Sequence, residues 1–278
     1  MAGQLNQVFF PAALGELFNA WTRFPQAVPF AGGTELIRSQ GSSSLSLPAT
    51  ILSLGRIEEL GRVTRTERYL EIGAMVKLRD IIRLGKIVPE ALTRTLEGIA
   101  GPQLRSLATI GGNLCCPGRR LDCAAPLIAL DAIYELRGAQ SSRWISAARF
   151  SSVPGSPALG KQELLTRIRI PLDQWDFTAY RKFGGRDSGA DGGVLIFIMK
   201  NRKNILTGLR VIFAGRRILR DKNSETFLVG KRLPLSGREA QDFSAQWRET
   251  LLEMEKTSPL TGAEIRNYVE TLIHNLAD

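Results

Sequence analysis

Two short apolar segments, each followed by a pair of glycines, constrain this chain more than any other feature. One is PFAGGTEL, with Gly32 and Gly33, and the other is ATIGGNL, with Gly111 and Gly112. Because glycine has no Cβ, successive backbone N–H groups can face one concavity that an anion approaches closely. A helix that begins beside the turn adds a partial positive charge. Two such turns predict a cradle for a pyrophosphate group, although one glycine pair after a strand is often only a turn.

Other phosphate-binding patterns are missing from both segments. Neither has the G-x-G-x-x-G spacing of a Rossmann fold or the G-x-x-x-x-G-K-S/T spacing of a Walker motif. The sequence therefore does not predict either of those two cradles.

The three cysteines of the chain all follow the second glycine pair, at Cys115, Cys116 and Cys123. Their spacing lacks the C-x₂-C pairs of common zinc sites, and the single histidine, His274, lies near the other end of the chain. We therefore expect free thiols and no bound metal, with Cys123 packing as a small hydrophobe.

Composition narrows the class of protein. The chain has 278 residues, 44% of them hydrophobic, which is enough for one large domain or two to three small ones. Its net charge is +10, but it has no long basic run, no zinc-finger spacing and no aromatic RNA-binding signature, so nucleic-acid binding is not predicted. No run of 18 apolar residues and no signal-peptide pattern occur, which predicts a cytoplasmic protein without membrane insertion.

Periodicity predicts helices and strands in mixed order. Apolar residues at helical spacing predict an amphipathic helix over residues 11–24. Strands are predicted before each glycine pair, over residues 26–31 and 103–110, and a helix is predicted to follow the first pair from Thr34. Later helices and strands are predicted at 122–131 (helix), 134–137 and 143–145 (paired strands), 163–171, 177–183, 194–200 and 206–215 (strands), and 224–230, 237–255 and 261–276 (helices). The polar segment KNRKN, residues 200–204, predicts a hairpin turn between the last two of these strands. Strands followed by helices are typical of an α+β fold with a separate C-terminal domain.

At these spacings the motifs resemble those of the FAD-binding middle subunit of the molybdenum hydroxylases, the family of xanthine dehydrogenase and aerobic carbon monoxide dehydrogenase. That family is marked by AGGT(D/E)L, by ATIGGN about 75 residues later, by an aspartate nine residues after that Asn, and by the helix PALLALDA. This chain has AGGTEL from Ala31, ATIGGN ending at Asn113, then Asp122 and APLIALDA. Its YRKFGGR from Tyr180 is similar to the family's Y-x-K-x-x-R-R.

The resemblance implies a fold and a domain organisation. The fold is α+β: a two-subdomain FAD-binding fold of the vanillyl-alcohol-oxidase/PCMH type, followed by a C-terminal α+β domain with an antiparallel sheet and helices. The expected domains are residues 1–54 for the first FAD-binding subdomain, 55–170 for the second and 171–278 for the C-terminal domain.

The resemblance also implies which residues contact FAD. The first glycine segment would hold the pyrophosphate, the second would supply further backbone donors, and the aspartate would reach the sugar part of the cofactor. Two apolar residues would line the pocket, and one of two adjacent basic residues would lie near the flavin. The implied contacts are Pro29, Phe30, Ala31, Gly32, Gly33, Thr34, Glu35 and Leu36; Thr109, Ile110, Gly111, Gly112 and Asn113; Asp122; Ile99 and Leu165; and Arg181 or Lys182.

Two segments depart from the family pattern. The usual ASPAG loop is CPGRR here, which brings Arg119 and Arg120 close to the expected cofactor. These arginines could bind a phosphate, face a partner or be solvated. The segment SGADGG, residues 188–193, replaces a more apolar segment of the family.

In this family the subunit transfers electrons and does not itself oxidise the substrate. Iron–sulfur (2Fe–2S) clusters on one partner subunit and a molybdopterin cofactor on a molybdenum-binding subunit would deliver electrons through FAD to NAD or another acceptor. The chain lacks the cysteines for such clusters, so the resemblance predicts one oxidoreductase subunit of a hetero-oligomer with no catalytic residue of its own. The alternatives are a stand-alone flavin oxidoreductase and a basic binding or assembly protein on this fold that has lost FAD.

Overall fold

The computed structural model describes residues 7–40, 46–153, 156–184, 192–257 and 259–277. Residues 185–191, which include part of SGADGG and the end of YRKFGGR, lie outside the described ranges. The chain divides into two compact units. Unit 1 contains Met1–Pro89, Ile99–Arg119 and Leu130–Leu172, and unit 2 contains Glu90–Gly98, Arg120–Ala129 and Asp173–Asp278.

Strands and helices alternate through the first half of the chain, and three helices close the second half. The strands are β1 (Gln7–Phe9), β2 (Val28–Phe30), β3 (Thr50–Ser53), β4 (Val63–Arg65), β5 (Tyr69–Gly73), β6 (Ile133–Arg137), β7 (Ser142–Ser146), β8 (Leu164–Pro171), β9 (Phe177–Phe183), β10 (Gly193–Arg202), β11 (Ile205–Gly215) and β12 (Ile218–Leu219). The helices are α1 (Leu14–Arg23), α2 (Thr34–Gln40), α3 (Leu78–Arg83), α4 (Glu90–Glu97), α5 (Pro102–Arg105), α6 (Ile110–Leu114), α7 (Ala124–Ala129), α8 (Ala147–Phe150), α9 (Lys222–Leu228), α10 (Gly237–Thr257) and α11 (Pro259–His274).

Unit 1 begins with a small parallel sheet in the order β1-β3-β2. Helix α1 was predicted from its apolar spacing, and its buried residues Leu14, Leu17, Phe18 and Trp21 do lie on one face. This face packs with Leu52 of β3 in one apolar cluster. The sheet places the end of β2, and with it the first glycine pair, beside the end of β3.

A five-stranded antiparallel sheet, in the order β4-β5-β8-β6-β7, forms the rest of the unit 1 framework. Alternate residues such as Leu70, Ile72 and Ile168 are fully buried, whereas Glu71 and Arg169 on the opposite face form an ion pair. Strands β6 and β7 pair as the sequence predicted.

Unit 2 contains a four-stranded antiparallel sheet in the order β12-β11-β10-β9, covered by α10 and α11. Strands β10 and β11 are joined through Lys203 and Asn204, whose φ angles are 53° and 60°. Two central residues with positive φ are typical of the tight hairpin that the polar segment KNRKN predicted. Phe197, Phe213 and Trp247 are fully buried in the core of this unit.

One predicted strand is wrong. The segment before the second glycine pair, residues 103–110, forms helix α5 and a turn, and the glycines lie inside α6. Pro102 occupies the first position of α5, where its missing N–H costs nothing, and Thr109 caps α6. These two local signals outweigh the apolar alternation that favoured a strand.

None of the helices in the described part of the chain combines the length and the apolar character needed to cross a membrane.

Candidate functional site

The first glycine segment links β2 to α2 in unit 1 through a left-handed turn. Gly33 has a φ of +69°, and a Cβ added there would lie 2.7 Å from Cζ of Phe30. A side chain at this position would therefore strain the backbone and collide with the Phe30 ring. Glycine is required here by the conformation of the turn itself.

Backbone donors of this segment are available. Across the described ranges, no protein acceptor lies against the N–H groups of residues 32–36, and all five residues are partly exposed. The first hydrogen bond of α2 is donated by Ile37 to the Gly33 carbonyl, 3.1 Å away. The N–H groups at the start of a helix have no partner within the helix, so these groups can donate to an anion.

The second glycine segment has the same sequence pattern but a different hydrogen-bonding state. Gly111 donates to the Ala74 carbonyl at 2.8 Å, and Gly112 donates to the Thr109 side chain at 3.1 Å. Ile110 and Asn113 likewise donate to the Val76 and Thr109 carbonyls, both at 3.0 Å. These four N–H groups already have protein acceptors, so donation from this segment to FAD stays a prediction.

The two segments lie directly against each other. A Cβ added to Gly32 would lie 2.1 Å from the Leu107 carbonyl oxygen, and one added to Gly112 would lie 3.8 Å from the Ala31 Cβ. Glycine at position 32 thus permits a backbone contact that any side chain would prevent. The sequence predicted that both segments serve one site, and the structure brings them together.

A carboxylate at the start of α2 joins this helix to the atypical CPGRR loop. Glu35 accepts hydrogen bonds from Arg119 Nε and Nη2 at 3.1 and 2.9 Å, and from Arg38 Nε at 2.8 Å. Burial raises the pKa of Glu35, but the hydrogen bonds and charges of Arg38 and Arg119 outweigh burial and lower it well below its usual range. Arg119 is therefore paired within unit 1, in a cluster where one carboxylate faces two guanidinium groups.

Arg120, the next residue, belongs to unit 2. Its guanidinium donates to the Gly215 carbonyl and, at 3.1 Å, to the Arg216 carbonyl at the end of β11. Burial lowers its pKa. Both arginines of the loop thus have partners in the protein itself.

The three cysteines are free thiols. Burial raises the pKa of Cys115 to about 12 and also raises the pKa of Cys116 and of Cys123, so all three are protonated at neutral pH. Within the described ranges, no group of three or more His, Cys, Asp or Glu side chains is arranged to hold a metal ion. Protonated thiols are weak nucleophiles and weak metal ligands.

The predicted site residues of unit 2 form an ion pair. Lys182 of β9 donates to the Asp122 carboxylate, and Lys182 is 44% exposed. Arg181 points to the other face of β9, where its guanidinium lies 4.9 Å from the Tyr268 ring centroid. The sequence left Arg181 and Lys182 as alternatives, and only Lys182 lies on the same side of the strand as Asp122.

Ile99 and Leu165, the two apolar residues predicted to line the pocket, are both buried in unit 1, at 8% and 2% exposure. Leu165 lies in β8 opposite Leu136 of β6. The Ile99 carbonyl accepts a hydrogen bond from Arg105 at 2.8 Å. Whether either side chain contacts FAD stays a prediction.

Sequence reasoning missed Tyr180. Its hydroxyl is buried, and no hydrogen-bond partner for it is found in the described residues. Burial, followed by the charge of Asp122, raises its pKa to about 12. A buried hydroxyl without a partner is unusual and points to a missing polar group. The signal was present in the Y-x-K spacing, because residues two apart in a strand share one face.

Comparison with known proteins agrees with these observations. The sequence model of a family described as "FAD binding domain in molybdopterin dehydrogenase" matches residues 4–173, more than half of the chain. The chain is 28% identical over 209 residues to the glyceraldehyde dehydrogenase medium chain of Sulfolobus acidocaldarius, a match that covers 74% of both chains. It is 29% identical over 183 residues to the xanthine dehydrogenase FAD-binding subunit of Escherichia coli O157:H7, covering 64% of this chain and 62% of that subunit.

A solved structure extends the likeness to the fold of nearly the whole chain. Quinoline 2-oxidoreductase from Pseudomonas putida 86 superimposes with a TM-score of 0.81 at 20% identity, covering 98% of this chain and 96% of that one. This match confirms the predicted fold class. The prediction from the glycine motifs is confirmed as well: the chain belongs to the family of FAD-binding domains of molybdopterin dehydrogenases, which are oxidoreductases with FAD as their cofactor.

Proposed function

We propose that this chain is the FAD-binding electron-transfer subunit of a molybdenum hydroxylase complex. Its partners would be an iron–sulfur subunit and a molybdenum-binding subunit, and electrons would leave through FAD to NAD or another acceptor. When bound, FAD supplies the electron-transfer chemistry, and the protein supplies binding and orientation. Relatives support the proposal, since two of them are described as a dehydrogenase medium chain and a dehydrogenase FAD-binding subunit.

The observation that carries the proposal is the packing of the two glycine segments in unit 1. Gly32 and Gly112 bring the segments into contact, and the first segment keeps its backbone donors available. A diphosphate needs several donors within hydrogen-bond distance and backbone that it can approach closely. The residues present therefore fit the phosphate part of FAD, and we assign phosphate binding to the first segment.

We retain the remaining predicted contacts as proposals. Asp122 and Lys182 would bind the sugar or ring portion of FAD through side chains that now pair with each other. The Tyr180 hydroxyl would gain a partner from a polar group of the bound cofactor. The three predicted domains and the cytoplasmic location also remain predictions.

A proline at the first position of α2 tests the phosphate assignment. Thr34→Pro removes one N–H that has no acceptor in the described chain, and the preceding Gly33 has no Cβ to clash with the proline ring. A hydrogen bond to a charged group is worth about 1.5–3 kcal/mol, so the Kd for FAD should rise about tenfold or more. Thr34→Ala is the matched control, since it loses the hydroxyl and keeps the N–H. Both Kd values are measured by titrating the apoprotein with FAD and following flavin fluorescence.

The outcomes separate the alternatives. Equal Kd values for the two variants would show that the Thr34 N–H does not donate to the phosphates. A protein that is colourless and binds no added FAD would support an assembly protein that has lost its cofactor. A yellow protein that oxidises a substrate without partner subunits would support a stand-alone flavin enzyme.

A further inference from the structure

Strand β9 is an edge of its sheet. The sheet order in the described chain is β12-β11-β10-β9, and β10 pairs with β9 along residues 177–183. Nothing else in the described residues hydrogen-bonds to the backbone of these seven residues. Because only alternate backbone groups of a strand face one neighbour, the others point to the opposite side. One side of β9 therefore carries a row of N–H and C=O groups without partners from the described chain.

A groove follows this edge. It has a volume of about 380 Å³ and is lined by Glu90, Arg94, Asp176, Phe177, Thr178, Ala179, Tyr180, Tyr268 and Leu272. Helix α11 lies on one face of β9, where Tyr268 contacts Arg181. Helix α4 lies on the other face, where a Cβ added to Gly98, the residue after α4, would meet the Tyr180 hydroxyl at 2.1 Å. A groove lined by both helices and by consecutive strand residues must open along the edge of the strand.

The edge lacks the usual protection at this point. Natural edge strands are shortened, or carry charges, proline or bulges that prevent pairing with another chain. The opposite edge of the sheet, β12, has only two residues, Ile218–Leu219. By contrast, the first four residues of β9, Phe-Thr-Ala-Tyr, contain no charge, glycine or proline. Phe177 is 40% exposed, whereas Thr178 and Ala179, which also line the groove, are each 5% exposed. The unprotected part of β9 coincides with the groove.

We propose that an extended segment of a partner subunit binds in this groove and adds to β9 as a fifth strand. The inference rests on the proposed function, because it takes the segment from a subunit of that complex. Backbone hydrogen bonds along the edge would supply the affinity, and the side chains that line the groove would select the segment.

The lining of the groove sets the chemistry of the segment. Phe177 and Leu272 favour apolar side chains on it. Glu90 and Arg94 of the lining pair with each other at 2.7 Å, so the remaining charge of the lining is the Asp176 carboxylate, whereas the chain as a whole has a net charge of +10. We therefore expect the segment to carry a basic side chain and not an acidic one.

Hydrogen–deuterium exchange, measured on the assembled complex and on the chain separated from its partners, tests this inference. In the free chain the outward amides of residues 177–183 should exchange quickly, and in the complex about tenfold or more slowly. Equal rates in a complex that forms and holds FAD would overturn the inference and leave the proposed function standing. Slow exchange in the free chain would also overturn it, because the edge would already be covered.

Side-chain variants give an independent readout. Leu272→Arg and Phe177→Arg place a charged side chain in the groove and should weaken the complex about tenfold, with FAD content unchanged. Leu252→Arg on α10 is the matched control, since Leu252 is 51% exposed and does not line the groove. Thermal unfolding of each variant shows whether it folds. A chain that binds neither FAD nor any partner would contradict both proposals, whereas folded groove variants that assemble normally would contradict this one alone.

Discussion

The carboxylate of Glu35 is held by two arginines, and replacing it by its neutral amide isolates what this charge contributes. Arg119 binds it through Nε and Nη2, and Arg38 binds it from one turn further along α2. Such forked contacts between a guanidinium and a carboxylate are among the stronger hydrogen bonds in proteins. The Glu35 side chain is only 22% exposed, so the pair is partly shielded from solvent. In Glu35→Gln the size of the side chain is kept and the charge is lost.

The sign of the pH effect follows from the pKa of Glu35. Burial raises this pKa, but Arg38 and Arg119 together lower it from 4.5 to about 2 in the folded protein. A folded-state pKa below the unfolded value means that the ionised form stabilises the fold. This stabilisation is fully present above pH 4.5 and is lost as the pH falls towards about 2.

Screening by solvent sets how much the ionised Glu35 side chain stabilises the fold. Each tenfold change in proton affinity is worth about 1.4 kcal/mol, so without screening the full change in pKa would correspond to about 3 kcal/mol. Arg38 and Arg119 are 54% and 47% exposed, and exposed ion pairs contribute much less than an unscreened value. We therefore expect Glu35→Gln to lower the free energy of unfolding by about 1–2 kcal/mol near neutral pH.

Urea denaturation at a series of pH values measures this difference, because urea does not screen charges. The deficit of Glu35→Gln should shrink below about pH 4 and vanish near pH 2. Glu58→Gln is the control, since Glu58 lies 4.0 Å from Arg62 with its side chain 89% exposed. A deficit that is no larger than that of the control, or one that is constant with pH, would refute the role assigned to Glu35.

Two further predictions concern the second glycine segment and the loop after it. Gly111→Ala should lower the free energy of unfolding by about 1–3 kcal/mol, because the new Cβ would lie 2.7 Å from Ala74. Gly15→Ala in α1, with nothing within 4 Å, should stabilise by about 0.5–1 kcal/mol, and equal urea midpoints for the two variants would contradict this reasoning. Cys115→Ser and Cys116→Ser should leave FAD content unchanged, and the wild-type chain should contain no stoichiometric zinc or iron; a metal that is lost in these variants would restore a metal site.

Sequence patterns predicted those helices and turns whose structure depends on residues close to each other in the chain. The apolar spacing of α1 and the polar hairpin between β10 and β11 act within a few residues, and both are present. The strand predicted over residues 103–110 was wrong because Pro102 and Thr109 start helices on either side of an apolar alternation. In this segment the residues that begin a helix determined the structure, although the apolar alternation favoured a strand.

Contacts between distant residues were beyond sequence reasoning. Glu35 and Arg119 are 84 residues apart and belong to different motifs, so no local period relates them. That the side chains of Arg181 and Lys182 lie on opposite faces of β9 could be predicted, since neighbouring residues of a strand face opposite sides. Which of the two sides contains Asp122 depended on how α7 and β9 pack, and only the structure could show that.

The two glycine pairs show why a motif does not by itself assign a role. Each pair follows a short apolar segment, and the sequence alone does not distinguish them. The first pair has one glycine with a positive φ and leads into N–H groups with no acceptor in the described chain. The second pair lies inside a helix whose first N–H groups already bind Ala74, Val76 and Thr109. The lack of a Cβ thus permits a turn with available N–H donors in the first segment, and it permits close packing in the second. A variant that removes a backbone donor tests binding only at the first pair, because at the second it also breaks the fold.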